Sequence, residues 1–162
     1  MEVSAKPLQP SAQRVQAALD AAGIATRVIE LAVAARTSQQ AADALGVEVG
    51  RIAKSLVFRA VESGRAVLVI AAGDRRVNEA AVARALGEPI ERAAPELVRQ
   101  YSGFAIGGVA PVGHLRPMPT FVDASLRRFE TVWAAGGTPH CVFAITPAEL
   151  VRASGATEIE ID

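Results

Sequence analysis

Cysteine is almost missing from this chain of 162 residues. The single thiol, Cys141, excludes an intramolecular disulfide and fits a reducing compartment. Histidine is nearly as scarce. His114, His140 and Cys141 cannot supply a zinc site of the usual spacing, so no metal and no other cofactor is expected. No Gly-x-x-x-x-Gly-Lys-Ser/Thr loop and no Gly-x-Gly-x-x-Gly after a strand is present, which excludes those two phosphate cradles. The Gly-x-Ser-x-Gly nucleophile elbow is absent too. Long apolar runs are lacking: the most continuous, Ala66 to Ala72, is far too short to span a bilayer. Met1 to Gln16 has no apolar core of a signal peptide. A cytoplasmic protein without membrane contact is expected.

Net charge is also missing, with 17 basic residues against 17 acidic ones. No long-range field draws the chain to nucleic acid, so any phosphate contact must come from a local patch. Lysine is rare as well. Lys6 and Lys54 stand against fifteen arginines, and the pairs Arg75-Arg76 and Arg127-Arg128 are the obvious candidates for RNA phosphates, or else solvated surface.

What is abundant is apolar side chain, at 51% of the residues. A chain of this length and composition builds one core without a metal or a disulfide. The pattern predicts a flexible tail over residues 1–10 and a single domain over 11–162. Ser11 is expected to cap a helix through Val15 and Leu19 to Gly23. A strand follows within Ala25–Leu31, and Thr37 or Ser38 caps a helix that stops at Gly46. Arg51–Val61 and Ala66–Ala72 read as a hairpin turned by Gly64, the second run buried on both faces. Asn78 caps a helix to Leu86, Pro89–Ala93 is extended, and Pro95 opens a helix closed by Gly103. Phe104–Gly107 reads as a strand, and a Gly- and Pro-rich stretch then leads into Phe121, Val122 and Asp123. A short helix to Phe129 is followed by strands over Thr131–Ala135 and Cys141–Ile145. Thr146-Pro147-Ala148-Glu149 is a capping-box helix start, and Glu158–Asp162 reads as an edge strand. Hairpins mixed with helices predict an α/β fold: a mixed sheet flanked by helices.

Four features carry potential chemistry. Lys54, at the start of an apolar strand, is either a partly desolvated cation acting on nearby oxygens or a snorkelling strand-end lysine. Gly107-Gly108-Val109-Ala110-Pro111 is either a backbone cradle for an oxyanion or a tight turn. Asp123 either positions an amine, hydroxyl or water, or caps a helix. His140 either lines a pocket or bonds locally. Its neighbour Cys141 points to the other face of a strand, which makes a Cys–His pair geometrically poor and leaves Cys141 as a small core hydrophobe.

In combination these pieces are more specific. Ala53-Lys54-Ser55-Leu56-Val57-Phe58, Gly107-Gly108-Val109-Ala110-Pro111-Val112-Gly113 and Pro119-Thr120-Phe121-Val122-Asp123 occur in that order. They resemble the YbaK and prolyl-tRNA synthetase-associated editing domain family, over about Ser11 to Ile161. The resemblance implies a trans-editing deacylase that hydrolyses the ester between a wrong amino acid and the 3′-terminal adenosine of tRNA, usually proline tRNA. It implies a mixed, partly closed sheet with helices around it, and no metal. It maps the family lysine onto Lys54 and the Gly-x-x-x-Pro loop onto Gly107, Gly108 and Pro111 as the catalytic set. Ser55, Phe58, Asp123, Thr138 and His140 are assigned to substrate binding. A pocket histidine in other members selects small side chains such as alanine, so alanine, cysteine, serine, threonine and non-protein amino acids all stand as candidate acyl groups. Aminoacyl-tRNA is the expected partner, with prolyl-tRNA synthetase or an elongation factor as a possible source of delivery. The alternatives are a tRNA- or synthetase-binding module of the same fold with little or no turnover, and a hydrolase of small esters or thioesters.

Overall fold

The computed structural model describes Val3 and residues 6–162. Helix α1 (Pro10–Ala21) starts with proline at its first turn behind the N-cap Gln9, two positions earlier than the Ser11 cap expected, because proline's fixed φ suits that position. Strand β1 is limited to Ile29–Glu30, and α2 (Ser38–Leu45) is capped by Thr37, whose side chain accepts from the Gln40 amide. The expected tail falls partly outside the described residues, although Val3 forms an isolated antiparallel bridge with Leu31.

Strands β2 (Ile52–Ala60) and β3 (Ala66–Ala72) form the antiparallel hairpin at the centre of the molecule. Gly64 turns it at φ 76°, donating to the Ala60 carbonyl at 2.8 Å. All seven residues of β3 are buried. Leu68, Ile70 and Ala72 face a core shared with Val15 and Leu19 of α1. Val67, Val69 and Ala71 face a second core with Phe58 and Val82. Burial on both faces explains a run with no polar alternation. Each large side chain so buried contributes roughly 1.5–3 kcal/mol.

Helix α3 (Glu79–Leu86), capped by Asn78, leads to β4 (Ile90–Arg92) and α4 (Pro95–Ser102). Strand β5 (Thr120–Asp123) passes into a 3-10 turn over Ala124–Arg128. Strands β6 (Val132–Ala135) and β7 (Cys141–Ile145) follow, then α5 (Pro147–Ser154) with the Thr146–Glu149 capping box, and β8 (Thr157–Ile159). The eight strands make one mixed sheet in the order β1-β7-β6-β2-β3-β5-β8, with β4 also on β2. The mixed α/β sheet flanked by helices is therefore as the sequence pattern predicts.

One predicted strand is absent. Phe104–Gly107 is a turn. Phe104 is an anchor in the main core, 2% exposed, and its amide donates to Ser102 Oγ at 3.0 Å. The chain then reverses instead of extending.

Candidate active site

The sheet has a gap. On its outer edge β2 pairs with β6 in parallel only through Ile52 and Ala53, and with β4 antiparallel only from Phe58 to Ala60. Between them, Lys54 to Val57 have no strand beyond β2 on that side. A cleft of about 610 Å³ opens there, within the range of small-ligand sites. Lys54, Ser55, Phe58, Gly107 and Thr138, five of the residues singled out from the sequence, line it. Gly108, Pro111, Asp123 and His140 do not.

Lys54 is partly buried, and its Nζ donates to the Arg75 carbonyl at 2.9 Å. Burial pulls its pKa below the usual 10.5, while the carboxylates of Asp123 and Asp74 act in the opposite direction. Asp123 is 2% exposed. One of its oxygens accepts from the Ala72 amide at 3.0 Å and the other from the Ser125 amide at 2.8 Å. It is thus both the cap of the 3-10 turn and a fixed negative charge beneath Lys54, away from the cleft wall.

The glycine loop is a type II turn. The Gly108 amide donates to the Ala105 carbonyl at 3.0 Å, Gly107 has φ 95°, and Ile106 between them keeps a negative φ. Ile106 at the corner is 62% exposed and lines the cleft. The Gly108 amide is therefore engaged in closing the turn, contrary to the expectation that both glycine amides are open to a ligand. Those of Gly107 and Val109, two other cleft residues, have no partner among the described residues. Gly108 serves close packing instead: a Cβ there would lie 2.9 Å from Thr138 Cα, so only glycine lets the two loops touch.

Helix α1 holds this loop from below. Arg14 Nε donates to the Gly113 carbonyl at 2.7 Å and its Nη2 to the Ser102 carbonyl at 3.1 Å, while the guanidinium lies 4.4 Å from the Phe104 ring centre. His114 Nε2 bonds to the Ala110 carbonyl at 2.7 Å, and the His114 and Phe104 rings meet edge to face. Burial and the neighbouring Arg14 charge hold the His114 pKa below 6.5. Neither clamp residue was singled out for the loop from the sequence. No local pattern marks Arg14, which lies 99 positions from Gly113, whereas His114 reaches back only four positions to Ala110.

On the opposite wall Thr138 Oγ1 accepts from the His140 amide at 3.2 Å and also bonds the Cys141 thiol. Burial raises the Cys141 pKa, which keeps it a protonated, inert thiol. The His140 carbonyl accepts from the Leu31 amide at 2.7 Å.

Three of the four paired arginines are occupied. Arg127 is bidentate to Glu158 (2.7 and 2.6 Å), Arg128 is bidentate to Asp74 (3.0 and 2.8 Å), and Arg75 pairs with Asp162. Arg76 instead lines the cleft, together with Arg36 and Arg92. Among the described residues none of these three has an ion-pair partner, and Glu79 is the one carboxylate on the lining. A chain of zero net charge thus concentrates four cations around one cavity.

The result is a mixed α/β domain whose sheet opens onto a cleft lined by an ammonium group, a glycine turn and three arginines. The chain belongs to the aminoacyl-tRNA editing domain family, whose model matches residues 32–153. It is similar to a solved structure of a proposed trans-editing enzyme for prolyl tRNA synthetase, with a TM-score of 0.90 and 46% identity over 96% of this chain and 99% of that one. It is 37% identical to the uncharacterized protein YwhH of Bacillus subtilis, over 76% of this chain and 78% of that protein. It is also 34% identical to the proline–tRNA ligase of Maridesulfovibrio salexigens over 62% of this chain, spanning only 17% of the ligase. Among the described residues no helix is long and apolar enough to cross a membrane.

Proposed function

We propose that this chain is a trans-acting aminoacyl-tRNA deacylase acting on proline tRNA that carries a small wrong amino acid such as alanine or cysteine. The observation that supports it most is the meeting of Lys54 and the Gly107 turn on one cleft at the gap in the sheet. Water adds to the ester carbonyl carbon, directly or after a hydroxyl of the substrate has taken over the acyl group in a first exchange. The bond between the carbonyl carbon and the ribose oxygen breaks, the ribose oxygen takes up the proton that water gives up, and the products are free amino acid and tRNA. Lys54, held by the Arg75 carbonyl, polarises the carbonyl or anchors the terminal phosphate. The amides of Gly107 and Val109 stabilise the negative charge that grows on the carbonyl oxygen, a contribution of about 10²–10³ in rate per donor in comparable sites. Ser55, Phe58 and Thr138 contact the acyl-adenosine, and Arg36, Arg76 and Arg92 face the phosphates. Asp123 acts through Lys54, and Pro111 and His140 shape their loops.

The test presents the purified chain with proline tRNAs charged with alanine, cysteine, serine, threonine and proline, and ranks the hydrolysis rates. Selective hydrolysis of a non-cognate ester, lost in Lys54→Ala, supports the proposal. Binding of charged tRNA without turnover refutes it in favour of a binding module.

A further inference from the structure

Peptide groups along a strand alternate sides. In β2 the even-numbered residues face β3: the Ile52 carbonyl accepts from the Gly73 amide at 2.8 Å, and the Ala60 amide donates to the Arg65 carbonyl at 2.9 Å. Odd-numbered residues face the other edge, where the Val61 amide donates to the Pro89 carbonyl at 2.9 Å. Strand β6 covers that edge as far as Ala53 and β4 covers it from Phe58. The Ser55 carbonyl and the Val57 amide therefore point into the gap, and neither has a hydrogen-bond partner among the described residues. Ser55 Oγ, beside them, is shielded from solvent and has no partner either. Interior polar groups are nearly always paired, so a buried hydroxyl without a partner, beside two backbone groups left open on the same cleft, calls for a ligand.

We propose that this open edge reads the base of the substrate's terminal adenosine: the Ser55 carbonyl accepts from the exocyclic amine, and the Val57 amide donates to ring N1. An acceptor followed by a donor two residues along one strand edge complements adenine's donor–acceptor face. A peptide strand does not fit, because β6 and β4 block both ends of the four-residue gap. A planar base enters edge-on. The arginines at the mouth of the cleft suit the phosphate attached to it. The inference rests on the deacylase reading for the identity of the nucleotide, and on the sheet alone for the edge.

Two measurements test it. The first compares mischarged tRNAs ending in adenosine, 1-deaza-adenosine, purine riboside and 7-deaza-adenosine. The 1-deaza and purine termini are expected to lower kcat/KM by roughly tenfold or more each, the usual size of one lost hydrogen bond in a formed site, while 7-deaza-adenosine reacts normally. The second follows the Val57 amide resonance during titration with AMP, 1-deaza-AMP and GMP. A downfield shift with AMP alone is expected. Equal turnover of all four termini, a Val57 resonance unmoved by AMP, or an equal response to GMP overturns the inference. If AMP shifts Val57 but no charged tRNA is hydrolysed, the edge stands and the deacylase reading falls.

Discussion

Lys54 Nζ donates to the main-chain carbonyl of Arg75 at 2.9 Å. This bond ties the ammonium on β2 to the segment that leaves β3, and it fixes the cation at the gap instead of letting it snorkel outward. The carbonyl holds the ammonium in place while two carboxylates, buried Asp123 and exposed Asp74, oppose the desolvation that disfavours its charge.

The first prediction follows from that balance. Burial depresses the Lys54 pKa below 10.5, so a mechanism that uses the cation loses activity on an alkaline limb that begins below 10.5. Stability has the opposite sign: the unfolded chain binds the extra proton in this window, so the lysine's contribution is fully favourable only above 10.5 and is lost as pH falls through the folded value. Asp123→Asn removes the first of the two opposing charges. It should move the alkaline limb to lower pH and, by leaving the buried Ala72 amide and the part-buried Ser125 amide badly matched, lower stability by about 1–3 kcal/mol. A pH–rate profile of the variant that overlays the parent's disproves this coupling.

The cationic mouth predicts a salt signature. Arg36→Ala, Arg76→Ala and Arg92→Ala should each weaken binding of charged tRNA and flatten the slope of log K against log salt by about 0.7–0.9 for each phosphate contact removed. Arg127→Ala, which breaks only the exposed pair with Glu158, should leave the slope unchanged. Filter binding over a salt series distinguishes the two sets.

Ser55 gives a prediction with opposite signs in the free and bound protein. Its Oγ is buried without a partner, so Ser55→Ala removes an unpaired polar atom. The urea midpoint should stay constant or rise, by up to about 1 kcal/mol in stability. Turnover of mischarged tRNA should fall instead, because the hydroxyl is completed by the substrate. A loss of stability equal to the loss of activity assigns Ser55 to the framework.

His114 sets an acid limit on the glycine loop. The Ala110 carbonyl accepts only, so the imidazole donates through Nε2. Its folded pKa lies below 6.5. The stability it contributes is whole above 6.5 and declines as pH falls through the folded value. Urea midpoints measured from pH 7 down to about pH 5 should drop more steeply in the parent than in His114→Gln, which keeps a donor and cannot titrate. Parallel curves remove His114 as the cause.

Much of the fold was legible because its signals are local. Thr37, Asn78 and Thr146 cap the helices they were expected to cap, since a side-chain oxygen three residues before a free amide needs nothing from the rest of the chain. The hairpin at Gly64 and the doubly buried β3 were legible for the same reason. Phe104–Gly107 was not: its apolar residues suggest a strand, but Phe104 is drawn into the core and the next residues turn. A tertiary contact overrides local propensity there.

The sequence by itself determined most of the elements, the mixed sheet, the lysine and the glycine loop, because caps, turns and alternation are written in neighbours a few residues apart. Only the tertiary structure decided where the sheet opens, which amides that opening leaves unpaired, and that Arg14 and His114 hold the loop from beneath. It also sorted the arginines, placing Arg127 and Arg128 in ion pairs and Arg36, Arg76 and Arg92 around the cleft. Apart from the short-range His114–Ala110 bond, these relations join residues tens of positions apart, and the pairing of strands and side chains that creates them exists only once the chain has folded.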